Sequence, residues 1–272
     1  MRPSRLLILL LLLGVATEAE AEDYSVPTLE ADLEQPASWW PAVSVVGSFA
    51  PTWTNNALFS RSDRRSDWYF DTNATIRLDG RFTNDLSYRL YVRSESDIFA
   101  HESGASESVA IGGARLTRDL AGWQVSAIYE NRHVFAGFYE DHLFTANDVK
   151  LAVANEFTYK TVIFAPLVQG RYRFSNLPEA RYYRLDLVLG IEVPLTDRWS
   201  VVSTPFVETY WFTSGENAGR SDQILSASLG LKYNITPRVS LTTTVAYETR
   251  LSNVAMRRYE SVDVGPTLNF AF

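Results

Sequence analysis

The sequence contains no cysteine, and this absence removes several classes of chemistry. There is no disulfide framework, thiol nucleophile, thiolate metal site or lipid-modified cysteine. Three histidines in 272 residues leave little for histidine-based metal chemistry, and we predict no cofactor. Lysine and arginine number 25 against 32 acidic residues, a formal net charge of −7. A nucleic-acid partner is therefore not expected, because nucleic acids require a basic face.

Long apolar runs are also scarce after the first twenty-one residues. No later run approaches the ~18 residues that a transmembrane helix needs. Hydrophobic residues nevertheless make up 46% of the chain and aromatic residues 13%. This composition excludes a disordered protein, because disordered chains lack the apolar residues needed for a core.

The N-terminus has the pattern of a secretory signal peptide. Arg2 and Arg5 precede an apolar run from Leu6 to Leu13, and a small-x-small cleavage pattern ends at Ala21. We therefore predict a signal peptide over 1–21, a periplasmic lead-in over 22–41 and one folded domain over 42–272. The acidic lead-in contains Pro27 and Pro36, and both an extended segment and an unstructured stub fit it.

From residue 42 onward, apolar and polar residues alternate with a period of two. Leu185, Leu187 and Leu189, for example, alternate with Arg184 and Asp186. Side chains on a strand point to opposite faces in turn, so this pattern indicates β-strands. It predicts twelve strands, at 42–54, 67–82, 86–97, 107–117, 123–134, 147–157, 161–174, 181–193, 199–212, 222–234, 239–250 and 259–272.

The predicted strands are longer than those of soluble sheets. They span 11 to 16 residues, whereas soluble strands average ~5–6 and a tilted membrane strand needs ~9–11. Aromatic residues such as Trp68, Trp123, Trp199 and Trp211 fall near strand ends, as in the interfacial girdles of membrane barrels. The opposite face is heavily charged, which suits a wet interior. We therefore predict an all-β fold, a transmembrane antiparallel up-and-down β-barrel of about twelve strands.

The connections alternate between short turns and longer loops, as a meander of hairpins requires. The longer loops are predicted at 55–66, 98–106, 135–146, 213–221 and 251–258. Both chain ends then lie at the end of the barrel that carries the short turns.

The last strand resembles the C-terminal β-signal by which the outer-membrane assembly machinery recognises its substrates. That pattern has a polar residue, a glycine two positions later and alternating apolar and aromatic positions, and commonly ends in phenylalanine. It is matched by Asp263, Gly265, Leu268, Phe270 and Phe272. With the signal peptide and the twelve strands, the whole chain looks like a porin-like outer-membrane β-barrel of a Gram-negative bacterium. The resemblance implies that the assembly machinery, outer-membrane lipid and lipopolysaccharide are its partners.

The alternation predicts which charged residues face the lumen. We expect most of them in cross-strand ion pairs. The predicted cations are Arg77, Arg81, Arg89, Arg93, Arg115, Arg132, Lys150, Arg171, Arg173, Arg184, Lys232 and Arg250. The predicted anions are Asp71, Asp79, Glu95, Glu130, Glu156, Asp186, Glu192, Glu208, Glu248 and Asp263.

Arginine is locally in excess in two regions of neighbouring strands. The first contains Arg77, Arg81, Arg89 and Arg93, and the second contains Arg171, Arg173 and Arg184. These tracks resemble those of twelve-stranded channels for acidic oligosaccharides, which implies a positive field for anions. We accordingly predict a passive channel for small polar or anionic solutes, without enzymatic activity.

Two other functions remain open from the sequence. Outer-membrane lipid hydrolases use a histidine and a serine, and His101 and Ser103 have a matching spacing, although Gly104 stands where asparagine is expected. His133, Asp141 and His142 bracket a predicted loop and have side chains that bind metals, but we commit to neither a catalytic nor a metal site. The third possibility is a structural or adhesive barrel with a closed lumen.

Overall fold

The computed structural model describes residues 41–272, which form a closed antiparallel barrel of twelve strands. The predicted signal peptide, and the lead-in up to residue 40, lie outside the described residues. No helix in the described part of the chain is long and apolar enough to cross a bilayer. The prediction of an all-β barrel of about twelve strands is confirmed.

The twelve strands follow one another around the barrel in chain order. Two of them, β6 and β9, are each made of two segments. The bounds are β1 Ala42–Thr54, β2 Asp67–Arg81, β3 Leu86–Phe99, β4 Glu107–Leu120, β5 Trp123–Ala136, β6 Asp141–Ala154 with Phe157–Tyr159, β7 Val162–Ser175, β8 Tyr182–Pro194, β9 Trp199–Ser203 with Phe206–Phe212, β10 Ser221–Thr236, β11 Val239–Ser252 and β12 Tyr259–Ala271.

The last strand closes the barrel by pairing with the first. Strand β12 runs antiparallel to β1, with Phe49 opposite Leu268 and Trp53 opposite Val264. Phe272 and Val45 exchange two backbone hydrogen bonds, of 2.7 and 2.8 Å. Within residues 41–272 this pairing joins the two edge strands of the sheet, which is the condition for placing strands in hydrocarbon.

Strand β9 is interrupted without losing its register. Ser203 lies opposite Ile191 and Phe206 lies opposite Val188, so the pairing continues on either side of the gap. The gap contains Pro205, which has no N–H to donate to the ladder. The two segments therefore act as one strand of the wall.

The outer face of the barrel is apolar. Side chains in the middle of the strands, such as Val92, Leu151 and Leu229, are more than half exposed. Large aromatic side chains are exposed near both ends of the strands, namely Trp68, Trp123, Tyr183, Trp199 and Trp211. An apolar band between two aromatic girdles is the surface of a barrel that meets lipid.

Several predicted strand boundaries and one predicted lumen residue are wrong. The predicted loop 135–146 is mostly strand, because β5 continues to Ala136 and β6 begins at Asp141, which leaves a turn at 137–140. Strand β3 likewise continues to Phe99, into the predicted loop 98–106. Glu156 does not face the lumen, because it lies exposed in the gap between the two segments of β6.

Candidate functional site

The candidate site is the barrel interior, where ionisable side chains form a network across strands β3 to β7. At its centre, Glu130 lies 2.9 Å from the Lys150 ammonium, 3.1 Å from Arg93 and 3.2 Å from Arg132. The Tyr91 hydroxyl also donates to Glu130, over 2.5 Å. Glu130 is buried, and burial of a carboxylate is tolerated only when it is paired in this way.

A second buried carboxylate, Asp148, binds the arginines of β7. Arg173 donates to both of its oxygens over 2.7 Å, and Arg171 lies 3.7 Å away. Asp148 is not among the predicted lumen anions, because the predicted strand 147–157 puts it at a strand end. Strand β6 begins six residues earlier than predicted, so Asp148 lies well inside it. A prediction that this strand already begins at residue 141 would have put Asp148 inside it and therefore in the lumen.

Further around the wall, Arg184 binds carboxylates of β8 and β9. It lies 2.7 Å from Asp186 and 3.5 Å from Glu208, and it donates to the Tyr210 hydroxyl over 2.8 Å. The three charged side chains have no solvent exposure.

Strand β10 provides a buried carboxylate, Asp222, that is not among the predicted lumen anions. Asp222 accepts from Arg250 at 3.1 Å and from Arg220 at 2.7 Å. Arg220 precedes the strand, so a loop side chain folds back to complete this pairing.

The remaining predicted arginines lie toward the short turns. Arg89 and Arg77 share Asp79, at 2.6 and 3.3 Å, and Arg77 also donates to Ser44. The structure thus places at least six of the seven candidate arginines within 4 Å of a carboxylate. The seventh, Arg81, is partly exposed and also has interaction partners. The candidate arginines do not form one continuous ladder along the lumen, because each cluster of arginines is paired with different carboxylates.

The opposite wall, on β11, β12 and β1, is lined by smaller side chains. The lumen-facing positions here alternate along each strand, and most are partly exposed rather than buried. They include Ser48 and Thr52 of β1, Thr244 and Ala246 of β11, and Asp263, Thr267 and Asn269 of β12. One side of the interior is therefore a dense ion-paired wall and the other is a wetter, polar wall.

The loop 55–66 folds over the long-loop end of this polar wall. Asn56 is fully buried and donates to the Glu260 and Ser60 carbonyl groups over 2.8 and 3.0 Å. Ala57 packs with Tyr69 and Phe99 in a buried cluster. Further apolar clusters bury side chains of β4 to β6 and of β8 to β10 at the same end. The long-loop end of the interior therefore holds three buried apolar clusters.

Comparison with solved structures establishes the fold class. An outer-membrane channel from Pseudomonas putida F1 is similar over 88% of this chain and 100% of its own, with 12% identity and a TM-score of 0.55. An anion-selective porin from Comamonas acidovorans is similar over 85% of this chain and 100% of its own, with 8% identity and a TM-score of 0.45. LpxR from Salmonella typhimurium is similar over 84% of this chain and 99% of its own, with 8% identity and a TM-score of 0.47.

The chain has the fold of an outer-membrane β-barrel. The two likenesses with scores below 0.5 add nothing to this statement. No protein-family model matches the sequence, and no curated protein matches it.

In this outer-membrane barrel the β-signal residues lie at the closure between β12 and β1. Asp263 and Gly265 face the lumen, whereas Leu268, Phe270 and Phe272 lie on the outer side. The ring of Phe270 covers Gly47 of β1, so a Cβ at that glycine would clash with it. These contacts give the residues a role in closing the barrel, and their role in assembly stays a prediction.

The histidines lie at the long-loop end. His101 is 82% exposed, and its Nδ1 lies 2.7 Å from buried Asp67, which also accepts from the backbone of His101 and Glu102. No hydrogen bond joins His101 to Ser103 in the described part of the chain. His133 and His142 both contact the Thr145 hydroxyl, at 3.3 and 3.2 Å. Within residues 41–272 no group of three or more histidines and acids is arranged to hold a metal.

Proposed function

We propose that this protein is an outer-membrane channel that passes small polar solutes. The observation that carries the proposal is the polar wall, where Asp263, Thr267 and Asn269 of β12 are partly exposed and Gly265, which lies between them, is buried. Partial exposure of lumen-facing side chains means that water reaches them. A partly exposed polar wall beside a buried, ion-paired wall is the arrangement expected of a narrow aqueous path.

A planar-bilayer recording tests this proposal. The refolded barrel, residues 22–272, is expected to give discrete conductance steps in potassium chloride. Ala246→Trp places an indole in the path and should reduce the step size, since narrow pores are sensitive to bulk. Val245→Trp is the matched control, because Val245 is on the same strand, points outward and is 52% exposed. Silent membranes that contain folded barrel would refute the channel.

The contacts of the seven candidate arginines do not support a preference of the channel for anions. Carboxylates neutralise six of them at short range. An arginine that is paired with a carboxylate produces only a weak electric field in the lumen, because the two opposite charges cancel at distances greater than their separation.

One observation favours a second function, lipid hydrolysis. Buried Asp67 orients His101, as the acid does in a nucleophile–histidine–acid arrangement, and His101 is open to solvent. Purified protein would then release fatty acid from phospholipid or lipid A, and His101→Ala would abolish the release. Intact substrate after prolonged incubation with the folded barrel would remove this function.

A further inference from the structure

Three basic side chains lie on the outside of the barrel wall at its long-loop end. His133 of β5 and His142 of β6 are exposed, and both contact the Thr145 hydroxyl, at 3.3 and 3.2 Å. Arg181, just before β8, is partly exposed, and its Nε donates over 2.8 Å to the Ser175 carbonyl of β7. We refer to the two histidines and this arginine as the basic patch.

Hydrogen bonds between strands make the basic patch one continuous surface. The Thr145 N–H donates to the Asn176 side chain over 2.8 Å, and the Thr145 carbonyl accepts from the Ser175 hydroxyl over 3.0 Å. Tyr182 is buried inside the barrel, so Arg181, the residue before it, takes an outward-facing position. The arginine and the histidines therefore line the same sector of the outer wall.

The depth of the basic patch is that of lipid headgroups. Asn147 lies two residues from Thr145 on the same face and directly opposite Phe174, an outward aromatic side chain near the long loops. Aromatic belts of this kind mark the boundary between membrane and water. In outer-membrane barrels the longer loops face the outside of the cell, where the leaflet consists largely of lipopolysaccharide. The basic patch therefore lies level with the headgroups of that lipid.

The nearest acids point away from the basic patch. Asp141 lies on the inward side of its hairpin, and the Glu140 carboxyl lies against Gly137. Glu179 accepts from the Glu216 N–H in a neighbouring loop. Within residues 41–272, no carboxylate forms an ion pair with either histidine or with the arginine of the patch. Unlike the lumen arginines, this arginine keeps its positive charge for a ligand outside the barrel.

A second loop of the same sequence pattern shows what the loop fold itself requires. Residues 175–182 read SNLPEARY, and residues 252–259 read SNVAMRRY. Arg258 donates through its Nε to the Ser252 carbonyl over 2.7 Å, in the same way as Arg181 in the first loop. The arginine thus supports the loop in both places through one N–H group, and the rest of its guanidinium is not used for that purpose.

The surroundings of the two loops differ in the residues that could bind a ligand. Ser221 takes the place of Thr145 at the second loop, because its N–H donates to the Asn253 side chain over 2.9 Å. Trp211 lies opposite Ser221, whereas His133 lies opposite Thr145. The loop fold therefore does not require a histidine, since a girdle tryptophan occupies the same position beside the second loop.

We propose that the basic patch binds the phosphorylated sugar headgroup of lipopolysaccharide. The guanidinium and imidazole N–H groups donate to phosphate oxygens, and hydrogen bonds to a charged group are stronger than those between neutral groups. The Phe135 ring lies 5.3 Å from the rings of His142 and Tyr139, and this exposed cluster offers aromatic surface to a sugar ring. The inference concerns the outer wall, so it goes beyond the proposed channel and does not depend on conduction through the lumen.

Native mass spectrometry of the refolded barrel in detergent tests the inference, because it counts intact lipid molecules bound to the folded protein. Lipid A that carries its phosphates should bind at least about tenfold more tightly than dephosphorylated lipid A or phosphatidylglycerol, since hydrogen bonds to phosphate are lost. The variant H133A/H142A/R181Q should lose this preference. Glutamine at position 181 removes the charge and keeps an N–H for the strand carbonyl.

The matched control is T209A/Q223A/R258Q, which changes three outward positions beside the second loop and should keep the preference. Equal binding of lipid A with and without phosphates refutes the site, and equal binding of phosphatidylglycerol refutes its choice of a glycolipid. An equal loss in the control variant also overturns the inference. If H133A/H142A/R181Q does not fold, the comparison of the three lipids on wild-type protein decides. Conductance of the same preparation tests the channel separately.

Discussion

Arg173 donates two hydrogen bonds of 2.7 Å to the two carboxylate oxygens of Asp148 on the neighbouring strand. Both side chains are buried. Arg173→Ala should therefore lower the free energy of unfolding by about 3–5 kcal/mol, because it leaves a buried carboxylate with weaker compensation. Urea titration of the refolded barrel in detergent measures this change.

Two further variants test whether the loss of stability comes from the buried ion pair of Arg173 and Asp148. Arg65→Ala removes an arginine that is also paired with two acids but is exposed in a loop, and no resolvable change is expected. The double variant D148N/R173M should recover part of the lost stability, since it removes both charges together. Equal destabilisation by Arg65→Ala and Arg173→Ala would contradict the buried network.

Two adjacent glycines of β4 should respond differently to alanine. Gly113 faces the lumen under the ring of Tyr91, and a Cβ there would collide with that ring. Gly112 points outward with open space around it. Gly113→Ala should destabilise the barrel by about 1–3 kcal/mol and displace Tyr91 from Glu130. Gly112→Ala should have almost no effect in the same urea titration, and a reversed order would refute the assigned faces of β4.

Loosening loop 55–66 should widen the channel. Asn56→Ala removes two side-chain donations to backbone carbonyl groups and an acceptor for the Ser60 N–H. We expect larger or more frequent conductance steps, because this loop covers the polar wall. Ser62→Ala, an exposed position in the same loop, should leave the recordings unchanged. Identical traces for Asn56→Ala and wild type would show that the loop does not limit the current.

The C-terminal phenylalanine should matter more for assembly than for the folded barrel. Deleting Phe272 should lower the amount of heat-modifiable barrel in outer-membrane fractions, while the same protein refolds in detergent. Phe138→Ala removes an equally exposed aromatic residue at the other end and should not change the amount. Normal membrane levels of the truncated protein would refute the resemblance to the assembly signal.

The sequence predicts the barrel well because alternation is a local property. Each strand reveals its own inward and outward faces, so Leu185 and Arg184 were assigned correctly without knowledge of their neighbours. The turn at 137–140 was misjudged because polar residues such as His142 and Thr145 lie on a strand above the apolar band. In that position polarity no longer distinguishes a strand from a loop.

The interior network was only partly predictable, because pairing depends on register between strands. A list of charges on one face shows how many acids and bases share the lumen. It does not show that Arg173 binds Asp148 or that Asp71 lies opposite Asp97. These contacts are fixed by the offset of each hairpin, and a shift of a few residues changes every partner.

The exchange of hydrogen bonds between Val45 and Phe272 has a consequence for protein engineering. It brings the beginning of β1 and the end of β12 side by side at one end of the barrel. A short linker from Phe272 to Ala42 would join them without distorting the wall, and the chain could be reopened at the exposed turn 214–219. Such a circular permutant would keep all twelve strands in place while moving the terminal phenylalanine into the middle of the polypeptide.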